Sequence, residues 1–290
     1  LPPAEAISFY SPPISTKVYD DHDSLLTEFF IERRDLANLN DVPKYLKKGF
    51  ICIEDKAFYQ HWGVDIKAVF RATIKNILHR RVVQGFSTIT MQLARNMFLT
   101  QEKTILRKLK EIALALRIER TYTKDEILER YLNQVNFGQG RYGVATAARY
   151  YFNKNVSNLT LSESALLVAL PKSPEHLSPY RYPEKAKARR DLVLKLMLND
   201  RIITEDEYNR AVNEPLNVVE RKKKHSIGEY FIEELRRYLE LKYGVEFLYR
   251  SGASIYTTLN KNIQQVAEEV LERRLRTIEK DYKFKITKAK

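Results

Sequence analysis

The sequence predicts a mainly α-helical protein with a few flanking β-strands. Two observations carry this. Leu, Ala, Glu, Lys and Arg dominate, while glycine is limited to 9 of 290 residues, a balance that favours helix. Apolar residues also recur at helical spacing from near Asp41 to about Val212, with only short breaks. A chain of this length can bury a sizeable core, as one large or two modest domains. With 44% apolar and 30% charged residues it is globular rather than disordered.

Taken in order, residues 14–34 read as two strands around a polar turn at 20–23. The pattern Thr123-Lys-Asp-Glu126 is a capping box opening a helix through I-L-E-R-Y-L-N. Residues 161–170, L-S-E-S-A-L-L-V-A-L, form an apolar helix stopped by Pro171. A loop with Pro174, Pro179 and Pro183 follows, and the core ends near Pro215. The run R-K-K-K at 221–224 reads as a solvated linker. Beyond it come a helix around 229–243, a strand at 253–259 with no obvious partner nearby, and a charged helix around 263–282. These shifts divide the chain into 1–44, 45–215 and 216–290.

A net charge of +13 points to an anionic partner: nucleic acid, a phospholipid surface or a phosphorylated substrate. Nucleic acid is disfavoured, because no recognition motif or stacking platform is present. Cys52 is the only cysteine, so no internal disulfide forms and the compartment is not fixed by redox chemistry. No apolar run approaches the ~20 residues of a spanning helix. The N-terminus lacks the basic start and apolar stretch of a secretory leader. A cytosolic protein and a chain cut just after its anchor both fit.

Three stretches hold residue types suited to chemistry. The first, E-D-K-A-F-Y-Q-H-W-G-V-D at 54–65, places Glu54 and Asp55 between an apolar strip and an aromatic turn, a setting that suits acid–base work. His61 reads as a structural hydrogen-bonding residue rather than a metal ligand, since no second His or Cys stands at ligand spacing. The second, G-F-S-T-I-T-M-Q-L-A-R-N at 85–96, gathers Ser87, Thr88, Gln92, Arg95 and Asn96. A helix capped by Ser87 or Thr88 would present Gln92 and Arg95 on one side. The third, R-K-L-K-E at 107–111, sets Arg107, Lys108 and Glu111 on one face, with Lys103 a turn earlier. Such a face is either a surface ion pair or a cradle for the charge on a departing pyrophosphate. Between the first two stretches, residues 66–79 alternate an apolar face (Ile66, Val69, Phe70) with Lys67, Arg71 and Lys75. That pattern fits a helix lying in a membrane interface or one packed on the core.

With K-D-E-I-L-E-R-Y-L-N at 124–133 and R-R-D-L-V-L at 189–194, these stretches make five motifs in order. The chain resembles the glycosyltransferase module of class A penicillin-binding proteins, the family 51 peptidoglycan glycosyltransferases, over roughly residues 45–215. The resemblance implies a lysozyme-like helical lobe with a smaller lobe resting on the bilayer. It makes 45–215 the glycosyltransferase domain, 1–44 a segment following a missing anchor helix, and 216–290 a linker toward an absent transpeptidase. It implies polymerisation of lipid II into β-1,4 glycan with inversion, on the outer face of the bacterial cytoplasmic membrane. Glu54 then corresponds to the general base. Glu111 corresponds to a second essential carboxylate that helps the pyrophosphate leave, directly or through a divalent cation such as Mg or Mn; no tightly bound cofactor is implied. Asp55, Ser87, Thr88, Gln92, Arg95, Asn96, Lys103, Arg107 and Lys108 correspond to substrate-binding positions, where moenomycin-type inhibitors also bind. The rival reading is a muramidase-like hydrolase with Glu54 as general acid. The chain departs from the family at Phe86, Met91 and Arg95, where glycine, glutamine and lysine are usual. It has no S-x-x-K or K-T-G motif for peptide crosslinking.

Overall fold

The computed structural model describes residue 7 and residues 14–30, 33–71, 87–99, 104–220 and 227–282. The chain forms two compact units, one of Leu1–Pro12 with Glu32–Glu220 and one of Pro13–Ile31 with Arg221–Lys290.

The first unit is helical: α1 (Lys44–Glu54), α2 (Ile89–Phe98), α3 (Ile105–Thr121), α4 (Lys124–Gln134), α5 (Val144–Phe152), α6 (Leu161–Ala169), α7 (Pro183–Asn199) and α8 (Glu205–Asn213). Two-residue strands at Arg33–Arg34 and Arg141–Tyr142 pair in parallel beside them. The central element is α6. Every residue from Ser162 to Ala169 is buried, as expected of a helix apolar on all sides. It opens with a capping box between Thr160 and Glu163 and runs into a 3-10 turn, Leu170–Lys172, that contains Pro171. Both α1 and α7 pack on it. The α1 contact is close enough that a Cβ on Gly49 would lie 2.9 Å from Val168 Cγ2. On the other side of α1, Phe50 meets the rings of Tyr131 and Phe137 edge-on, at 5.8 and 6.4 Å between centroids.

The fifth motif is scaffold. Arg190 is completely buried. Its guanidinium donates to Ser162 Oγ (3.0 Å), Val212 O (3.0 Å) and Glu214 O (2.7 Å), and to the carboxylate of Asp191. One side chain thereby joins α6, α7 and the end of α8. Only a planar, multi-donor head does this at fixed geometry.

The second unit draws its residues from both ends of the chain. Strand β1 (Thr16–Tyr19) pairs antiparallel with β2 (Leu25–Phe29) around the expected turn. It also pairs in parallel with Ser254–Tyr256, Lys17 opposite Ser254. The strand without a nearby partner thus has one at the opposite end of the chain, and the hairpin belongs with the C-terminal residues. Helix α9 (Glu229–Arg250) breaks at Gly244 (φ 84, ψ 164), one residue past the end the sequence suggests. Its Leu239 and Leu248 pack with Val18 and Phe29 as a small separate core. The final helix, α10, spans Lys261–Tyr282. The basic run at 221–224 lies outside the described residues, and among those described no helix is long and apolar enough to cross a membrane.

Candidate active site

Glu54 is the last residue of α1, because Asp55 leaves helical geometry at φ −162 and ψ 77. Asp55 is buried. Its two carboxylate oxygens face His61 Nε2 at 2.9 and 3.0 Å, and one accepts the Ile89 N–H at 3.0 Å. The pair His61–Asp55 therefore ties the end of α1 to the first turn of α2. Thr88 caps α2, accepting the Met91 N–H at 3.1 Å and donating its hydroxyl to Gly63 O at 2.5 Å. Gly63 has φ +81, and a Cβ there would sit 3.0 Å from Ala115 O on α3, so both conformation and space demand glycine. Asp55 and Thr88, expected to bind substrate, are buried and bonded inward. Their hydrogen bonds brace the start of α2.

Gln92 and Arg95 do share one side of α2. Gln92 donates Nε2 to Glu54 Oε2 at 2.7 Å. Arg95, one turn on, is half-buried. Its charge acts on Lys108 and also on Tyr131, which feels the charge of Glu54 as well. Burial, then the charge of Glu54, pushes the Tyr131 phenol up from its ordinary value. Asn96 is half-buried on the same helix.

On α3, Glu111 is completely buried. Lys108 Nζ donates to its Oε2 at 2.8 Å and to Ser87 Oγ at 2.6 Å, and the Arg107 guanidinium covers Oε1. This is not an exposed i,i+4 pair of small worth. It is a desolvated carboxylate that fixes two cations and, through Lys108, the residue preceding the α2 cap. Burial first, then the charges of Arg95 and Arg107, pull the Lys108 ammonium down to about 8. Helix α3 begins at Ile105 with Thr104 as its cap. Lys103 therefore precedes it, and Lys103 and Phe86 both lie outside the described residues.

Arg95 thus lies within electrostatic reach of Lys108 on α3 and of Tyr131 on α4. Each oxygen of Glu111 already receives one cationic donor, Arg107 on Oε1 and Lys108 on Oε2. Among the described residues, the one group of three side chains spaced to hold a metal is Asp20, Asp21 and His22 in the β1–β2 turn.

Sequence reasoning missed a buried brace. Thr90 Oγ1 donates to Glu119 Oε1 at 2.6 Å, and Lys124 Nζ does so at 2.7 Å while lying 4.7 Å from the Phe58 ring centroid. It links α2, α3 and α4 to the turn after Glu54. The only sequence signal is a lysine opening the fourth motif.

The apolar side of residues 66–71 is turned outward. Ile66 is 78% and Phe70 70% exposed, beside Trp62 at 75%. Ile105, Leu106 and Leu109, at the start of α3, are exposed as well. The continuation at 72–79 lies outside the described residues.

Residues 22–198 match the Transglycosylase family model. The chain is 42% identical over 280 residues to penicillin-binding protein 1A of Aquifex aeolicus, covering 97% of this chain and 38% of that protein. It is 42% identical over 290 residues to penicillin-binding protein 1A of Rickettsia bellii, covering 98% and 37%. The crystal structure of penicillin-binding protein 1A from Haemophilus influenzae superposes with a TM-score of 0.54 at 25% identity, covering 87% of this chain and 28% of that one. The chain therefore spans a little over a third of the length of the Aquifex and Rickettsia proteins, and less of the Haemophilus one. The mainly α, lysozyme-like architecture, the five motifs and the matched length agree, and the chain belongs to the transglycosylase family.

Proposed function

We propose that this chain is a peptidoglycan glycosyltransferase that polymerises lipid II into β-1,4 glycan with inversion. The observation that carries the reading is the line of charge along α2 and α3: a carboxylate held by Gln92, then Arg95, then Lys108 and Arg107 locked on a buried Glu111. In the proposed reaction Glu54 takes the proton of the acceptor sugar's 4-hydroxyl. That oxygen attacks C1 of the donor sugar from the face opposite the pyrophosphate. The C1–O bond breaks and its electron pair leaves with undecaprenyl pyrophosphate. Arg95, Lys108 and Arg107, with Lys103 added, stabilise the charge that develops. Glu111 acts through the cations it holds, Arg107 and Lys108. Ser87, Gln92 and Asn96 complete the donor subsite, where moenomycin-type phosphoglycolipids would compete.

A muramidase-like hydrolase is the rival on such a lobe, but a glycan offers no phosphate for three fixed cations to hold. The exposed Trp62, Ile66, Phe70, Ile105 and Leu106 support contact with a bilayer. The reading therefore places the chain on the outer face of the bacterial cytoplasmic membrane, with no nucleic-acid partner. Supplying lipid II and mature glycan in parallel decides between the two reactions. Polymer from lipid II is expected, and cleavage of glycan without polymer would overturn the proposal.

A further inference from the structure

We infer that Asp200 is a positioning residue for Glu54, gripping the last turn of α1 from behind. This rests on the proposed role of Glu54 as base. Asp200 is the cap that ends α7, its N–H bonded to Leu196 O and Leu198 O. It is followed by Arg201 at φ 54, whose N–H returns to Leu198 O, and by Ile202, whose N–H returns to Met197 O. This closed left-handed cap makes its backbone a firm post.

From that post the carboxylate takes two donors from α1 and the turn that follows. Cys52 Sγ donates to Oδ2 at 3.1 Å, and Lys56 Nζ donates to Oδ1 at 2.7 Å. These bonds hold the Asp200 carboxyl below its ordinary range, Lys56 first and Cys52 second. Residues 52 and 56 are four apart, on either side of Glu54. Two residues along a helix is about 200°, so Glu54 leaves α1 on the side opposite Cys52. Asp200 therefore does not compete for the Glu54 carboxylate or for anything Glu54 binds. It holds the backbone that presents it. On the other side the same turn is held by Asp55, through His61 and the Ile89 N–H.

The end of a helix is where fraying begins. Clamped front and back, the terminal residue of α1 has one backbone position from which to reach an acceptor hydroxyl. The Cys52 thiol serves as a donor here and not as a nucleophile, since burial and then the Asp200 carboxylate push it up to about 12.

The experiment is lipid II polymerisation by Asp200→Ala, Lys56→Ala, Lys56→Arg, Cys52→Ala and Cys52→Ser, with kcat and KM separated. Phosphoglycolipid affinity and amide exchange are measured on the same samples. Misplacement of a reacting group by about 1 Å can cost on the order of 10²-fold, so Asp200→Ala should lower kcat about tenfold or more. KM and phosphoglycolipid affinity should stay close to the parent values. Exchange should quicken at residues 52–56 and not in α6. Lys56→Arg and Cys52→Ser, which keep a donor, should retain more activity than the corresponding alanine variants. An unchanged kcat in Asp200→Ala overturns the inference, as does an equal loss of kcat and phosphoglycolipid affinity in a folded Asp200→Ala. If Asp200→Ala does not fold, Lys56→Ala decides on the same readouts, because that side chain is 60% exposed. An active Glu54→Gln would defeat the proposed base, whereas an inactive Glu54→Gln beside a normal Asp200→Ala would defeat only the clamp.

Discussion

The Gln92 amide donates to the Glu54 carboxylate at 2.7 Å, joining the end of α1 to the middle of α2. The bond uses one of the two oxygens and restricts the rotation of the carboxylate. Glu54→Gln should abolish polymerisation while leaving thermal stability and phosphoglycolipid binding nearly intact. Gln92→Ala should lower kcat by roughly 10-fold, in the range typical of a lost orienting hydrogen bond. Lipid II turnover by purified variants checks both, and near-normal turnover by Glu54→Gln would remove it from the base role.

Glu111 neutralises Arg107 and Lys108 from a fully buried position. Replacing it with glutamine leaves two cations pressed against a neutral group. Removing one partner of a buried pair costs about 3–5 kcal/mol, and here solvent access to Arg107 and Lys108 reduces that figure. We expect a loss of about 2–3 kcal/mol in urea unfolding and a collapse of donor affinity. Wild-type stability in Glu111→Gln would show that the pair is held from elsewhere.

Lys108 should make donor binding pH-dependent. Its ammonium is pulled down to about 8 in the free protein, and a bound pyrophosphate requires it charged. Affinity for a phosphoglycolipid is thus full below pH 8 and falls about tenfold per pH unit above it. Lys108→Arg stays charged throughout and should flatten that decline. Calorimetric titration between pH 7 and 10 tests the sign, and an affinity that rises with pH contradicts it.

Arg190 should matter to stability and not to chemistry. Arg190→Met leaves Val212 O, Glu214 O and Ser162 Oγ without their donor in a closed interior, at about 2–4 kcal/mol. A lower melting temperature is expected, with donor affinity preserved below it.

Trp62, Ile66 and Phe70 should drive vesicle binding. Burying such a side chain is worth about 1.5–3 kcal/mol. Trp62→Ser with Phe70→Ser should therefore weaken partitioning onto anionic vesicles by well over tenfold, without unfolding. Sedimentation with vesicles measures this, and unchanged partitioning would move the contact elsewhere.

The sequence by itself determined what depends on near neighbours. Helical periodicity marked the stretch that holds α1 to α8, the Thr123–Glu126 box set the start of α4, and the spacing of Gln92 and Arg95 placed them on one helix face. Motif order was enough to single out Glu54 and Glu111. Tertiary structure decided what burial and distant partners control. Spacing could not tell whether Arg107, Lys108 and Glu111 lay on the surface or in the interior, because the i,i+4 pattern is the same in both. Nor could it show that Asp55 and Thr88 spend their hydrogen bonds inward, that β1 pairs with Ser254–Tyr256, or that Asp200 meets Cys52 across 148 positions. A local pattern records which residues face one another along a helix. Which other helix arrives to face them is fixed only when the whole chain packs.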